Sequence, residues 1–382
     1  MTLTLLVFAP SRRAATETFV RANLEGLPFR TIAYFGDEWP PMQPDRCAYG
    51  LAIVLSKVLT RLGLLRLATL PGSLVAWCLV QWHRPDVLMA EFGFHAVRVM
   101  EVAPWTGVPL VVHFRGSDAS ASDRLGRLEQ RYRRLLRLVS GVIVKSEPMR
   151  RTLLDLGAPP ARLLVSPSGA DARWFSGARP ADAPPCFLSV GRFVAKKGPL
   201  ETLRAFALMR RALPADLAGR VRLVMVGDGP LRAAARRLAE QLDLEGVVTF
   251  PGLATRQQVL DWMRVARAFV QHSRVAPDGD SEGSPVAVME AQLCGLPVIA
   301  TRHAGIPEVV QHGRSGLLVE EGDVAGMASA MASLARDPAE ADRLGACGRQ
   351  IVASRFTVDH HLDAVAALLR TVADTRQTHR LD

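Results

Sequence analysis

The sequence predicts an α/β protein built from two doubly wound, Rossmann-like domains. Short runs rich in Val, Leu and Ile alternate with amphipathic helical segments, which is typical of parallel sheets covered by helices on both faces. The 382 residues exceed what one core ordinarily accommodates. Residues 177–185, rich in Ala and Pro and without periodicity, divide the pattern near its middle and form the predicted linker.

Ten apolar runs are predicted as strands, five on each side of the linker: residues 3–8, 87–90, 109–114, 141–144, 163–166, 187–190, 221–226, 247–250, 268–271 and 297–300. We expect a first domain over residues 1–180, a second over 183–356, and a C-terminal helix over 357–382 that packs back towards the first domain. In such folds ligands bind outside the carboxyl ends of the strands.

Composition limits the class of protein. The apolar fraction of 49% and the charged fraction of 22% are those of a globular protein and exclude a disordered chain. The five cysteines are scattered without a C-x-x-C pair, which favours a reducing compartment and argues against a structural zinc site. The apolar run 2–9 has its basic residues after it, so it predicts a buried strand and not a signal peptide. No run reaches the roughly 18 apolar residues of a spanning helix, and we expect a cytoplasmic protein.

The net charge of +10 is unevenly distributed. Residues 1–180 contain 23 basic and 14 acidic residues, a net charge of +9, whereas the remainder carries +1. Three kinds of partner suit such a field: nucleic acid, an anionic membrane surface or a phosphorylated acceptor.

Two helical segments of the first half are candidates for a membrane surface. Residues 51–82 are strongly apolar, with three basic residues and two tryptophans, and residues 124–137 carry six arginines among Leu and Tyr. Either an ordinary amphipathic helix with a solvated basic face or an interfacial surface for anionic lipid would produce this pattern. The choice depends on which faces are exposed.

Two carboxylates, Glu282 and Glu290, lie eight positions apart around the residues Gly283, Ser284 and Pro285. Ser284 is a favourable N-cap and Pro285 a favourable first helical residue, which predicts a helix that carries Glu290 in its second turn. A helix N-terminus attracts anions. One carboxylate on each side suits a ligand with a central diphosphate and hydroxyl groups at both ends, such as a nucleotide sugar.

A basic turn follows the first strand of the second half. Arg192, Lys196 and Lys197 come directly after that strand, where two cations would clamp a diphosphate; alone, the pattern fits a solvent-exposed turn equally well. The residues from Gly227 begin like a dinucleotide fingerprint, but Arg232 stands where its third glycine belongs. A dinucleotide-dependent oxidoreductase is therefore poorly supported.

Taken in order, five motifs resemble glycosyltransferase family 4, the retaining enzymes of the GT-B fold, in which two Rossmann-like domains face each other across a cleft. They are G-R-x4-K-G at 191–198, G-D-G-P at 227–230, F-P-G at 250–252, E-x7-E at 282–290 and G-I-P-E at 305–308. Residues 15–19, 270–273 and 278–283 resemble the bacterial branch that builds exopolysaccharide, colanic acid and capsule.

The resemblance implies a role for each matching position. Arg192 and Lys197 would bind the donor diphosphate, Glu290 the ribose hydroxyls and Glu282 the transferred sugar. The backbone of Gly283, Ser284, Pro285 and Val286 would complete the phosphate site, with Gly227 and Gly252 among the substrate-binding residues.

One position departs from the family pattern. The branch carries an F-H-G-x-D element on its acceptor side, and this sequence has Arg115 in place of the histidine, followed by Asp118. Arg115 stays protonated and cannot act as a base, but it could hold a phosphate. His113, two positions earlier on the predicted strand, points to the same face and is equally consistent with a buried structural histidine.

These features predict a metal-independent, retaining glycosyltransferase that moves a hexosyl group from a UDP- or GDP-sugar to a lipid-linked glycan acceptor. Neither a cofactor nor nucleic acid is expected, and no metal-ligand spacing accompanies the diphosphate site. We expect peripheral contact with the anionic inner face of the plasma membrane. Two alternatives remain: a soluble enzyme that makes a small glycoside or sugar phosphate, and a non-catalytic nucleotide-sugar-binding protein.

Overall fold

The computed structural model describes residues 3–11, 18–40 and 42–378. The chain forms two compact units. The first combines the chain up to Pro167 with the segment from His361 onwards, and the second spans Ser168–His360.

The first unit contains a parallel six-stranded sheet in the order β2-β1-β3-β4-β5-β6. Its strands are β1 (Thr4–Ala9), β2 (Arg30–Phe35), β3 (Val87–Glu91), β4 (Leu110–His113), β5 (Gly141–Val144) and β6 (Leu163–Val165). Because β1 lies between β2 and β3, the strand order reverses beside β1. Ligand sites of doubly wound sheets form at the carboxyl ends beside such a switch point.

Among the residues described for this unit, the α-helices between these strands are α1 (Thr18–Gly26), α2 (Pro44–Arg61), α3 (Leu70–His83), α4 (Gly93–Ala96), α5 (Val102–Thr106), α6 (Ser117–Ser120), α7 (Ser122–Leu138) and α8 (Glu147–Asp155). In the part of the chain that the structure describes, no helix is long and apolar enough to cross a membrane.

The second unit repeats the architecture with the strand order β12-β11-β10-β7-β8-β9, again all parallel. Its strands are β7 (Cys186–Val190), β8 (Arg222–Val226), β9 (Val248–Gly252), β10 (Ala268–Gln271), β11 (Val298–Thr301) and β12 (Gly316–Val319). Here the strand order reverses between β7 and β10, so the loops that follow these two strands flank the switch point.

The helices of the second unit are α9 (Pro199–Ala212), α10 (Ala215–Arg220), α11 (Arg232–Gln241), α12 (Arg256–Val265), α13 (Val286–Cys294), α14 (Ile306–Val309), α15 (Val324–Arg336) and α16 (Pro338–Arg355). The last helix, α17 (Val358–Thr378), begins in the second unit and continues into the first.

Helix α17 closes one face of the first sheet. Val365 and Leu369 are buried in one cluster with Val7, Met89 and Ile143, which point to that face from β1, β3 and β5. Alternate strand residues point to the opposite face, where they pack beneath the other helices. The C-terminal segment is therefore part of the first unit's core.

The predicted α/β architecture of two doubly wound units is confirmed, and all ten predicted strands are present. The sequence patterns missed β2 and β12, which each lie at one edge of their sheet, whereas β6 and β9 at the opposite edges were predicted. β2 begins with Arg30 and Thr31 and is only partly buried, so it lacks the continuous apolar run that marks a central parallel strand. β12 is a short Gly-Leu-Leu-Val run.

The structure divides the chain at Pro167, earlier than the expected first boundary at 180. Residues after the division pack in the second unit. The Ala170 N–H donates to the Phe356 carbonyl at 2.9 Å, and Phe175 is buried in the second unit's core. Segment 177–185 therefore lies inside the second unit, where the Ala178 N–H donates to the Cys294 carbonyl at 2.9 Å.

Helix α16 holds α13 in place through a close approach at Gly345. A Cβ atom at Gly345 would lie 2.0 Å from the carbonyl oxygen of Gly295, which caps α13. We expect Gly345→Ala to lower the free energy of unfolding by about 1–3 kcal/mol, because the helices must separate to admit the methyl group. Urea denaturation at pH 7 measures this change.

Gly219→Ala is the matched control, because Gly219 also lies in a helix but a Cβ there would meet no atom within 4 Å. This variant should be neutral or stabilised by about 0.5–1 kcal/mol. Equal destabilisation of the two variants would contradict the close packing of α13 against α16.

Candidate active site

The candidate site of the second unit lies at the carboxyl ends of β7, β8 and β10. A small pocket opens at the switch point, and its lining includes Gly191, Arg192, Lys197, Val226 and Gln271. All five residues stand at or directly after the end of a central strand or in the loop that follows it. The fold thus gathers residues from three distant parts of the sequence around one pocket.

Gly227 directly follows the pocket residue Val226, where the loops after β7 and β8 approach each other. Its N–H donates to the Gly252 carbonyl at 2.8 Å, and the neighbouring Gly191 N–H donates to the Val226 carbonyl at 3.0 Å. Gly227 has a φ of 134°, and a Cβ there would lie 2.0 Å from the Gly191 carbonyl oxygen. Only glycine permits this approach of two loops, which explains the residue type without any ligand.

A buried ion pair joins the loops that follow β7 and β10. The Lys197 Nζ lies 2.8 Å from Glu282 Oε1, and the Glu282 side chain is only 5% exposed. Burial by itself raises the pKa of Glu282, but the charges of Lys197 and Lys196 outweigh it and hold the pKa below its ordinary value. Glu282 is therefore a carboxylate at neutral pH, paired with the cation that the sequence assigns to the diphosphate.

Lys196 fastens the same loop from its other side. Its Nζ lies 3.0 Å from Asp280 Oδ2 and donates to the Ser281 carbonyl at 3.1 Å. Two neighbouring lysines thus hold residues 280–282 against the basic turn. The alternative of a freely solvated basic turn is inconsistent with these contacts for both lysines.

A chain of hydrogen bonds fixes the backbone of Glu282. Its N–H donates to His303 Nε2 at 3.1 Å, and His303 Nδ1 lies 2.6 Å from Glu321 Oε1. Because Nε2 accepts, the ring proton lies on Nδ1 and is donated to Glu321. His303 is buried, so Glu321 and His303 position Glu282 without lying in the pocket lining.

Glu290 lies in the second turn of α13 and is half-buried. Burial raises its pKa to about 7, although Arg256 and Lys197 partly offset this effect. Unlike Glu282, it has no ion-pair partner within 4 Å among the described residues. The two carboxylates of the E-x7-E motif therefore differ in charge state near neutral pH.

Helix α13 begins one residue later than predicted, at Val286, with Pro285 as its N-cap. The expected N-cap, Ser284, is wrong: its hydroxyl accepts a hydrogen bond from the Ser168 N–H at 3.0 Å. The Val286 N–H is also occupied, because it donates to the Ser284 carbonyl at 2.9 Å. In the ranges that the structure describes, the N–H groups of Gly283 and Ser284 have no partner and remain available for an anion.

Arg192 follows β7 directly and its side chain is exposed. No ion pair of Arg192 occurs within the described ranges, in contrast to Lys197. The guanidinium is a fork of five donors that suits phosphate oxygens. Its assignment to a diphosphate remains a prediction.

The first unit carries a second polar cluster, at the carboxyl ends of β3 and β4. Arg115 donates to Glu91 through Nε at 2.7 Å and through Nη2 at 2.8 Å, and both side chains are buried. This bidentate pair commits most of the guanidinium to Glu91. A phosphate-binding role for Arg115 would have to compete with that pair.

His113 is fully buried beside this ion pair. Its Nδ1 lies 3.4 Å from Asn23 Nδ2 and 3.5 Å from Glu91 Oε2. Burial, with the charges of Arg115 and Lys145, holds the pKa of His113 well below its ordinary value, so the ring is neutral. No partner for its Nε2 is found among the residues described.

Asp118 holds the turn after β4 in place by accepting backbone hydrogen bonds. Its carboxylate accepts backbone N–H groups from Gly93 at 2.9 Å, Arg115 at 2.9 Å and Gly116 at 2.8 Å. Burial nevertheless raises its pKa above the ordinary value, because these three donors only partly offset the loss of solvent. Its carboxylate is thereby committed to the turn that carries Arg115.

Sequence reasoning missed several residues of these two clusters. Glu91, Lys145 and Glu321 are brought in by the fold: Glu91 is the last residue of β3, and the other two follow β5 and β12 within two residues. Their position at strand ends is the only signal that could have indicated them. The motif at residues 15–19 lies outside the residues whose side chains are described.

The half-buried Glu290 gives a measurable pH dependence of stability. A carboxyl with a pKa near 4.5 when unfolded and about 7 when folded takes up a proton on folding between these values. The free energy of unfolding therefore falls as the pH rises from 4.5 to 7. Glu290→Gln should be about 1–3 kcal/mol more stable than the wild type at pH 8 and nearly equal to it at pH 4.

Urea denaturation at pH values between 4 and 8 measures this difference. Glu240→Gln is the control, because Glu240 is an exposed helical residue of the same unit. Parallel stability curves for Glu290→Gln and the wild type across the window would contradict the raised pKa.

Comparison with a solved structure supports the fold. The crystal structure of Anabaena Alr3699/HepE in complex with UDP and glucose matches with a TM-score of 0.72 at 18% identity. The match covers 97% of this chain and all of the other. Together with the two parallel six-stranded sheets, this likeness confirms the predicted GT-B fold class.

Sequence relatives extend the likeness. A protein of Salmonella typhimurium named as the colanic acid biosynthesis glycosyltransferase WcaL is 32% identical over 75% of this chain and 71% of its own length. The amylovoran biosynthesis glycosyltransferase AmsK of Erwinia amylovora is 28% identical over 75% of this chain and 70% of its own length.

Two family descriptions divide the chain between them. Residues 11–169 match the glycosyl transferase 4-like domain, and residues 172–351 match glycosyl transferases group 1. The break between the two matches falls close to Pro167, where the two structural units divide. The chain therefore belongs to glycosyltransferase family 4, with a 4-like domain followed by a group 1 domain.

Proposed function

We propose that this protein is a retaining, metal-independent glycosyltransferase that moves a hexosyl group from a UDP- or GDP-sugar to a lipid-linked glycan during exopolysaccharide assembly. The observation that carries the proposal is the buried Lys197–Glu282 pair at the switch point, with Arg192 exposed beside it and Glu290 half-buried on α13. Family membership supports glycosyl transfer as the reaction.

A nucleotide-sugar donor suits the chemistry of this pocket. A diphosphate needs fixed cations and backbone donors, and Arg192, Lys197 and the Gly283 and Ser284 N–H groups are of the required kinds. Carboxylates accept hydrogen bonds from sugar and ribose hydroxyls, the roles proposed for Glu282 and Glu290. The HepE structure, described with UDP and glucose, supports this class of donor.

The proposed reaction is a front-side substitution. The bond between the sugar C1 and the diphosphate oxygen breaks, and a bond from C1 to the acceptor oxygen forms on the same face. The acceptor hydroxyl proton passes to the departing phosphate oxygen. Lys197 and Arg192 stabilise the negative charge that develops on that phosphate, which makes a metal ion unnecessary in this scheme.

A lipid-linked acceptor at the inner face of the membrane is proposed from two features. The half of the chain that contains the first unit's sheet carries a net charge of +9, which attracts anionic lipid and phosphorylated acceptors. Two relatives carry names that assign them to colanic acid and amylovoran biosynthesis, and both products are exopolysaccharides. These names support the same class of product here.

Loss of either cation should reduce turnover strongly. In a panel of UDP- and GDP-sugars assayed for release of free nucleotide, we expect one donor to be consumed by the wild type. Lys197→Ala and Arg192→Ala should each lower kcat with that donor by about 100- to 1,000-fold, because each removes a charge that acts on the leaving group.

Arg211→Ala is the control, since Arg211 is an exposed cation on α9 outside the pocket lining. Thermal unfolding separates loss of catalysis from loss of fold. Because Arg192 is exposed, Arg192→Ala should disturb the fold less than Lys197→Ala. Turnover within a few-fold of wild type for both variants would exclude the proposed role of Arg192 and Lys197 in stabilising the leaving diphosphate. Donor binding without nucleotide release would identify a binding protein.

The stereochemistry and metal requirement are testable with the identified donor. NMR of the newly formed glycoside should show the anomeric configuration of the donor, as retention requires. Rates should be unchanged after treatment with EDTA, because Arg192 and Lys197 supply the positive charge in the proposed scheme. An inverted anomer, or full loss of activity that added Mg²⁺ or Mn²⁺ restores, would contradict the scheme.

A further inference from the structure

Helices α2 and α3 present an apolar face outwards. Of the twenty large hydrophobic side chains exposed among the described residues, fourteen lie between Trp39 and Trp82. The other six are scattered singly over the rest of those residues. Single exposed apolar side chains are ordinary, but a concentration of this kind marks an interaction surface.

The spacing shows that this face is continuous. Leu51, Leu55, Val58 and Leu62 recur every three or four positions along α2 and just beyond its end, and all are exposed. The inward face of the same helix carries Ile53 and other buried residues. Helix α2 is thus apolar on both sides, whereas a helix that only covers a core has a polar outer face.

The segment 62–67 and α3 continue this surface. Leu62 is 67% exposed, and Leu74, Trp77 and Trp82 are exposed along α3, with Trp82 at 68%. The outward faces of α2, segment 62–67 and α3 together form the α2–α3 surface. Tryptophan is enriched where an apolar layer meets water, because its ring is apolar and its N–H is polar.

The exposed charges of the α2–α3 surface are of one sign, because Asp45 at the start of α2 is half-buried and accepts a hydrogen bond from the Tyr34 hydroxyl at 2.7 Å. No Asp or Glu occurs from position 46 to 85, whereas Lys57, Arg61 and Arg66 are exposed among its leucines. An anionic lipid surface complements this charge, and each cation near it adds to the attraction. Two copies of the chain would instead bring like charges together, which disfavours a dimer through this face.

We propose that the α2–α3 surface is an interfacial membrane-binding site that lies in the headgroup region of an anionic bilayer. Its apolar side chains enter the acyl boundary, while Lys57, Arg61 and Arg66 contact lipid phosphates. The inference deepens the proposed function by naming the surface through which the enzyme would reach a lipid-linked acceptor. It rests on geometry that is independent of the donor site.

Vesicle sedimentation of the full chain tests this surface. We expect the wild type to sediment with phosphatidylcholine vesicles that contain phosphatidylglycerol at low salt, and much less with pure phosphatidylcholine. Leu55→Glu with Leu62→Glu should lower the partition coefficient at least about tenfold, because carboxylates replace two leucine side chains that would enter the apolar layer. Lys57→Gln with Arg61→Gln and Arg66→Gln should abolish the preference for anionic vesicles.

The matched control is Leu208→Glu with Leu253→Glu, which places the same charges at two exposed leucines of the second unit. It should sediment like the wild type. Intrinsic fluorescence gives a second readout: vesicles should shift tryptophan emission to the blue, and Trp77→Phe with Trp82→Phe should remove most of that shift. Thermal unfolding verifies that every variant is folded.

Several outcomes would overturn the proposal. One is that the wild type fails to bind anionic vesicles. Another is that the Leu55→Glu/Leu62→Glu variant binds these vesicles as tightly as the control. A dimer in solution that this variant dissociates, without vesicle binding by the wild type, would identify the surface as a contact between copies. Release of nucleotide from the donor is measured without vesicles, so failure of the membrane surface and failure of the proposed catalysis are distinguishable.

Discussion

The contact on which the candidate site depends is the buried ion pair between Lys197 and Glu282. It joins two loops that are some eighty-five positions apart in the chain but follow neighbouring strands, β7 and β10. An unpaired carboxylate at 5% exposure would be strongly destabilising, so each side chain requires the other. The Lys196–Asp280 pair and the hydrogen bond to His303 extend the same constraint to the whole loop.

Both units place a buried acid–base pair at the carboxyl ends of their central strands, but the two pairs differ chemically. Arg115 and Glu91 form a rigid bidentate contact with fixed geometry. Lys197 is a point charge on a flexible stem, and it remains about one-fifth exposed. A lysine of this kind can contact a phosphate with a small change in its side chain, whereas Arg115 would have to surrender two short hydrogen bonds. Of the two pairs, Lys197–Glu282 in the second unit is therefore the better suited to binding a donor diphosphate.

The first unit is unusual in the helices that cover one side of its sheet. Helix α2 buries Tyr49 and Ile53 against the core and simultaneously exposes leucines to the outside. Leu51, Leu55 and Val58 on the outer face are exposed and lie outside that core. Selection for a partner accounts for such side chains better than selection for stability, because exposed apolar clusters favour aggregation.

The sequence alone determined the fold class, ten of the twelve strands found among the described residues, and the residues of the donor motifs. Parallel strands and glycine turns leave local patterns that need no distant partner. It did not determine the edge strands β2, which is partly polar, and β12, a run of four residues. Nor did it indicate that Ser284 accepts from Ser168, or that Arg115 is held by Glu91. The outward apolar face of α2 was equally undetermined. Only the tertiary structure decided these points, since each depends on contacts between residues far apart in the chain or on which side of a helix meets solvent.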